Sequence, residues 1–279
     1  MNLGSRPLAL VTGASSGIGY ELARQLLLRG CDVIGVAANR ARLRAASRTL
    51  AGIGPGVMEI VSADLSWRAG VETVWKAVNG RDIDVLAVNA GVGVWGPFVD
   101  TNLDDEMTMI DVNVVSVVHL TKLVLRQMVE RGAGRILITS SIVSLLPGPR
   151  EAVYSATKAF LGSFAAALRN ELKGTGVTVT SLMPGATDTD FFARAGMEGS
   201  VIGRARKADP AKVAREACDA LYRGQAWVVT GRMNKLLALV APLIPEAVRA
   251  AMHGTRTRRA KRRQVFFAPS IRPANRSNR

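Results

Sequence analysis

Tyr154 and Lys158 stand four residues apart, and Ser141 precedes the tyrosine by thirteen. Four residues make about one turn of an α-helix, so this spacing puts the ammonium on the same face as the phenol if the segment is helical. A free phenol has a pKa of about 10, too high for a good base at neutral pH, and a nearby cation favours its ionised form. Tyr154 so placed is an acid/base for a carbonyl or alcohol oxygen. Ser141 can donate a hydrogen bond to that oxygen from the other side. Tyrosine and lysine at this spacing also arise on solvated helix faces, so the pair carries weight only if the fold brings a hydride donor beside it.

The elements that must position the trio can be read from hydrophobic patterning. Strand candidates are Leu8 to Thr12, Asp32 to Ala37, Val57 to Ala63, Asp84 to Asn89, Arg135 to Ser140, Val177 to Leu182 and Trp227 to Gly231. Most are nearly continuous apolar runs, as strands covered on both faces should be. Amphipathic helix candidates lie between them: Gly17 to Arg29, Arg40 to Leu50, Arg68 to Asn79, Asp104 to Arg131, Tyr154 to Lys173 and Pro210 to Tyr222. Asp209-Pro210 supplies an N-cap followed by a proline at the first helical position. This alternation predicts an α/β fold: a single-domain, doubly wound parallel sheet, Rossmann-like, with about seven strands and helices on both faces. Residues 1–231 make the dinucleotide-binding and catalytic domain, 232–253 an amphipathic helical extension and 254–279 a basic, disordered tail.

In such a sheet ligands bind beyond the carboxyl ends of the strands. The first strand candidate runs into Thr12-Gly13-Ala14-Ser15-Ser16-Gly17-Ile18-Gly19 and then a helix. Glycines permit a sharp turn and a close approach to a pyrophosphate, and the helix amino terminus offers N–H groups to its charge.

Composition narrows the classes. The 279 residues are 48% hydrophobic and 21% charged, within the globular range. Net charge is +15, but residues 254–279 hold nine Arg or Lys and no acid, leaving about +6 for the body. Cys31 and Cys218 have no metal or redox spacing and are read as small buried hydrophobes in a reducing, cytoplasmic setting. The start, MNLGSRPLAL, has no apolar signal core, so export is not expected. The run Leu236 to Ile244, broken by Pro242, is too short to span a bilayer, and no other run is read as a span. Neither His119 nor His253 has a metal-ligand spacing, and no Gly-x-Ser-x-Gly elbow is present, which disfavours metal and hydrolase chemistry. His119 is read as a helix-packing residue.

Taken together, the motifs resemble those of the short-chain dehydrogenase/reductase family of NAD(P)-dependent oxidoreductases. They are TGASSGIG at Thr12 to Gly19, Asp64-Leu65, Asn89-Ala90-Gly91, Asn113, Ser141, Tyr154-x-x-x-Lys158, and Pro184-Gly185 with Thr189, in the family's order across about residues 8 to 230. The resemblance implies that Gly13, Ser15, Ser16, Gly17, Ile18 and Gly19 form the cofactor turn. Asp64 and Leu65 would meet the adenine, and Asn89, Ala90 and Gly91 would line the adenosine and central-strand region. Ser141 would orient the substrate oxygen and Tyr154 would move the proton. Lys158 would hold the nicotinamide ribose and lower the tyrosine pKa, and Asn113 would support a water linking Lys158 to solvent. Pro184, Gly185, Thr187 and Thr189 would border the nicotinamide, with Thr189 on its carboxamide. Val88 departs from the pattern, since many members carry a second asparagine there.

NAD enzymes usually place Asp or Glu at the end of the second strand. Here that position is Ala37, and Arg40 and Arg42 follow. Arginine suits a 2′-phosphate, so NADP(H) is expected over NAD(H), with Arg40 as a cofactor contact. Substrate contacts are expected from Val94, Trp95, Ser141, Leu146, Phe191 and Phe192, a set that favours a small lipophilic carbonyl or alcohol. Gly196 to Lys207 is expected to be mobile enough to act as a lid. Family members are often dimers or tetramers built on the two long helices, and a homo-oligomer is expected here by analogy. The basic extension is compatible with a solvated tail or with peripheral contact to an anionic membrane surface. No motif for specific nucleic-acid recognition accompanies the charge. The alternative function is a non-catalytic dinucleotide-binding regulator or scaffold that engages a partner or membrane through the tail; binding alone, however, has no need of Tyr154.

Overall fold

A computed structural model describes residues 6–259. Seven strands, β1 (Leu8–Thr12), β2 (Asp32–Ala37), β3 (Met58–Ser62), β4 (Val85–Val88), β5 (Gly134–Thr139), β6 (Val177–Met183) and β7 (Trp227–Val229), form one sheet in the order β3-β2-β1-β4-β5-β6-β7. Every pairing is parallel. The main helices are α1 (Gly17–Leu28), α2 (Arg40–Leu50), α3 (Arg68–Val78), α4 (Leu103–Ile110), α5 (Ser116–Arg131) and α6 (Ala152–Glu171). Short α7 (Phe191–Arg194) and α8 (Val201–Arg204) precede α9 (Pro210–Tyr222), α10 (Arg232–Val240) and α11 (Glu246–Thr257). β1, β2, α2 and α9 have the bounds expected from the sequence. The others shift by a residue or two at an end, where helices fray and strands lose partners.

Successive strand residues point to opposite faces, so each strand feeds two cores. Leu10, Ile34, Leu86, Ile136 and Val179 pack with Val74, Leu120, Val124 and Leu161 of α3, α5 and α6. Ala9, Val11, Val33, Val85, Leu137 and Leu182 pack with Leu22, Leu26, Val213 and Ala217 of α1 and α9. Each fully buried aliphatic side chain contributes about 1.5–3 kcal/mol, which is why these strands carry almost no polar residues. Strand order reverses at β1, between β2 and β4, and that reversal opens the crevice in which the site lies.

Two helix expectations are corrected. The helix read as Asp104 to Arg131 is divided by a π-helical turn, Asp111–Val115, between α4 and α5. Taken through that turn, Leu103–Arg131 is 29 residues and contains an 18-residue stretch with a mean hydropathy of 1.5, long and apolar enough to cross a membrane by length and composition. Its apolarity has a packing cause, since Val117, Leu120, Val124 and Met128 are core residues against the sheet. In the expected lid segment Met197, Ser200 and Gly203 are buried, a Cβ on Gly203 would strike the Met197 carbonyl oxygen, and Gly196, Glu198, Val201 and Arg204 are exposed. The extension helix expected to end at His253 continues to Thr257, and Arg259 bridges to Ser200, so the basic segment is structured at its start. The rest of the tail, 260–279, lies outside the described residues.

Candidate active site

A cavity of about 530 Å³ follows the carboxyl ends of β1 to β6. Gly13, Ser15, Ser16, Gly17 and Ile18 line one side, and Asp64, Leu65, Asn89, Ala90 and Gly91 line the next. Ser141, Tyr154, Lys158, Pro184, Gly185, Thr187, Thr189, Phe191 and Phe192 continue the wall. Thus most of the residues singled out in the sequence face one space, although they come from five separate loops and α6.

The turn after β1 is built by two glycines with different duties. Gly13 has φ +74°, in the left-handed region that side chains disfavour. Gly19 does not line the cavity; a Cβ there would collide with the Gly13 carbonyl oxygen, so it permits the first turn of α1 to close on the loop. Thr12 joins this turn to the next strand, its Oγ1 accepting from the Asn89 and Ala90 amides at 2.9 Å each. The cradle of backbone N–H groups at the start of α1, with no side chain filling it, fits a dinucleotide pyrophosphate.

The end of β2 differs in detail from the expectation. Asn39 caps α2 by accepting from the Arg42 amide at 2.9 Å. Ala37, Ala38, Asn39 and Arg42 line the cavity, whereas Arg40 is exposed outside it. Arg42 pairs with Asp190 at 2.9 Å across the cavity mouth.

Lys158 is 4% exposed, on α6, and its Nζ donates to the Thr139 carbonyl at 3.0 Å. Ser140 Oγ donates to the Lys158 carbonyl at 2.7 Å, so the end of β5 grips the lysine at both ends. Burial lowers the ammonium pKa to about 8. Tyr154 opens on the cavity, with its ring 5.3 Å from that of Phe191. Its phenol is pushed above the usual range first by burial and then by the charge of Glu151, and hydrogen bonding to Ser141 works the other way. The Lys158 Nζ lies 5.8 Å from the centre of the Tyr154 ring. The expected lowering of the phenol by this lysine is absent from the chain alone, where burial dominates.

Asn113 sits in the π-helical turn, is fully buried and does not line the cavity. Its amide accepts from the Val92 N–H at 2.9 Å, donates to the Val92 carbonyl at 2.9 Å and donates to Thr157 Oγ1 at 3.1 Å. Thr157 Oγ1 donates in turn to the Tyr154 carbonyl at 2.7 Å. Asn113 therefore ties the β4 loop to the tyrosine's own helix.

Val94, Trp95 and Leu146 do not line the cavity. Trp95 packs beside Phe192, Ala195 and Met197, and its Nε1 donates to the Thr257 carbonyl at 2.8 Å. That bond belongs to a set made by α11. Arg249 donates to the Leu145 carbonyl at 2.6 Å, Thr257 Oγ1 to the Pro149 carbonyl at 2.8 Å, and the Val201 amide to the Arg258 carbonyl at 3.2 Å. The helix and the two residues after it thus fasten the loops that follow β4, β5 and β6. Buried His253 joins this strap, its Nε2 2.8 Å from an oxygen of Glu151, a cavity residue that sequence reasoning passed over. The one available signal was an acid three residues ahead of Tyr154. His119 lies half-buried on α5, and Cys31 and Cys218 are free and buried.

Comparison with known proteins gives the same picture. The family model described as short chain dehydrogenase matches residues 7–199. An uncharacterised short-chain type dehydrogenase/reductase of Sinorhizobium fredii is 42% identical over 195 residues, covering 69% of this chain and 75% of that protein. The NADP-dependent 3-hydroxy acid dehydrogenase of Salmonella typhi is 35% identical over 195 residues, covering 69% of this chain and 77% of its own. A short-chain dehydrogenase from Sphingobium yanoikuyae, solved in complex with NADPH, superposes with a TM-score of 0.76 at 28% identity, over 86% of this chain and 97% of that one.

Proposed function

Because the chain belongs to the short-chain dehydrogenase family of NAD(P)-dependent oxidoreductases acting on alcohol and carbonyl groups, we propose that it is an NADP(H)-dependent reductase or dehydrogenase for a lipophilic carbonyl or alcohol. The observation that carries this reading is the placement of Ser141, Tyr154 and Lys158 around the same cavity as the Gly13 to Ile18 turn. A bound nicotinamide supplies or accepts the hydride. Tyr154 gives a proton to the substrate oxygen in reduction and takes it back in oxidation, and Ser141 holds that oxygen by hydrogen bonding. Lys158 would hold the nicotinamide ribose, with its ammonium 5.8 Å from the centre of the Tyr154 ring. Asn113 is a positioning residue acting through Thr157 and Val92.

The preference for NADP(H) rests on the end of β2, where Ala37, Ala38 and Asn39 offer no carboxylate for a ribose diol and Arg42 stands free of the core. A 2′-phosphate would take the Arg42 guanidinium from Asp190, an exposed pair that holds it only weakly. The relative named for NADP dependence and the neighbour solved with NADPH agree with this choice. The lipophilic class rests on Ile142, Val143, Phe191, Phe192, Met197 and Ile202, which line the cavity beyond Tyr154. An apolar groove between Phe98, Ile110, Val114, Val153 and Phe160 supports a second copy docking on α4 and α6, checked by light scattering. Exposed Met233, Leu236, Leu239 and Leu243 form the surface through which contact with an anionic membrane would be made, checked by liposome sedimentation.

The test is nucleotide titration by fluorescence, followed by turnover of a ketone panel. NADPH should bind more tightly than NADH, and Arg42→Ala should weaken NADPH about tenfold while leaving NADH nearly unchanged. Tyr154→Phe should keep NADPH affinity and lose turnover by at least about a hundredfold. Full turnover in that variant would overturn the proposed mechanism.

A further inference from the structure

The substrate side of the cavity is mostly apolar and holds one carboxylate that the mechanism above does not use. Glu151, one turn ahead of Tyr154, is 5% exposed and lines the cavity. One of its oxygens, Oε2, meets His253 Nε2 at 2.8 Å, and among the described residues no donor reaches Oε1. His253 is itself 2% exposed and is presented by α11, whose bonds to Leu145 and Pro149 hold the same loop. The carboxylate is therefore fixed on one side and has an acceptor left over for a donor that enters the cavity. Of the cations lining the space, Arg42 and Arg194 are exposed and Lys158 is bonded to the Thr139 carbonyl.

We propose that Glu151, held by His253, is a specificity residue that accepts a hydrogen bond from a hydroxyl or ammonium group of the substrate, at a point separate from the oxygen that meets Tyr154. The inference rests on the reading above, that the cavity takes a lipophilic carbonyl or alcohol. It narrows that class to molecules with a second, donating polar group. The partnership explains why a helix so late in the chain is bonded into the site: without His253 the carboxylate would have no fixed position.

The experiment uses the full chain loaded with NADP+ and a homologous series of 2-alkanols, each paired with its ω-hydroxy counterpart, with affinity read by calorimetry. At the chain length that spans from Tyr154 to Glu151 the ω-hydroxy compound should bind about tenfold or more tightly than its partner, the usual worth of a hydrogen bond to a charged group. Glu151→Met should erase that preference. Glu151→Gln keeps the shape and one acceptor and should reduce the preference severalfold; it decides the matter if the methionine variant does not fold, which circular dichroism and NADPH binding report. An unchanged preference in the variants, no preference at any length in the parent, or a preference for an ω-carboxylate would each overturn the inference. Turnover of the corresponding ketones is followed in parallel. Lost turnover with the hydroxyl preference intact would count against the reductase reading alone, and turnover without the preference would count against Glu151 alone.

Discussion

Lys158→Met separates what the lysine costs the fold from what it does for chemistry. Burial moves its ammonium from an ordinary 10.5 to about 8. That displacement corresponds to about 3 kcal/mol against the charged form. With the side chain 4% exposed, solvent screening removes little of it. The hydrogen bond from Nζ to the Thr139 carbonyl returns about 1.5 kcal/mol, and methionine preserves the stem's packing. The variant should therefore be more stable at pH 7 by about 1–2 kcal/mol, or a few degrees in Tm for a chain of this size. The sign of the pH dependence follows from the lowered pKa. Below pH 8 the folded parent carries the full cost; between about 8 and 10.5 the unfolded chain holds a proton that the folded chain has lost, so parent stability rises with pH. The variant lacks that rise, and groups common to both proteins cancel in the difference. Urea unfolding of nucleotide-free protein from pH 7 to 10.5 measures it. Parallel profiles, or a less stable variant at pH 7, would refute the reasoning. A stabilised variant without turnover would place Lys158 among residues kept for activity at the fold's expense.

Gly19→Ala should weaken NADPH binding at least about tenfold and lower stability by about 1–3 kcal/mol, because the new methyl meets the Gly13 carbonyl; fluorescence titration and thermal melts read both. Ending the chain after Pro245 removes the strap on Trp95, Leu145, Glu151 and Val201. It should raise KM for the carbonyl substrate several-fold while NADPH affinity stays within about twofold, since none of the severed bonds touches the β1–α1 turn. Hydrogen exchange should show the loops after β5 and β6 opening first. Asn113→Leu should lower kcat more than KM and loosen the Val92 loop, with exchange at the Val92 amide as the readout that a change in substrate binding alone would not move.

The strands and the order of the motifs were legible because parallel strands covered on both faces must be continuous apolar runs, and because a sharp turn after β1 needs glycine. The bounds of β1, β2, α2 and α9 follow from such local causes: the Asn39 and Asp209 caps, the proline at the start of α9 and the loss of apolar residues at strand ends. The Tyr154 and Lys158 spacing likewise fixes their common face once α6 forms. These features depend on neighbours in sequence, so the chain alone determines them.

Other features depend on which distant segments are brought together. The π-helical turn at Asn113 has no local signature in a helix pattern that reads as unbroken, and it is held by Val92 and Thr157. Arg42 rather than Arg40 faces the cavity because the Asn39 cap sets the angle at which α2 leaves β2. The lysine was expected to acidify Tyr154, but the depth of burial of both groups decides the opposite balance in the chain alone. The Glu151 and His253 pair joins residues 102 apart, and its place in the cavity exists only because α11 folds back over three loops. Sequence supplied the reactive groups and the sheet that carries them; tertiary packing decided their solvation, their partners and the shape of the space they share, because burial and long-range contact are properties of the assembled chain.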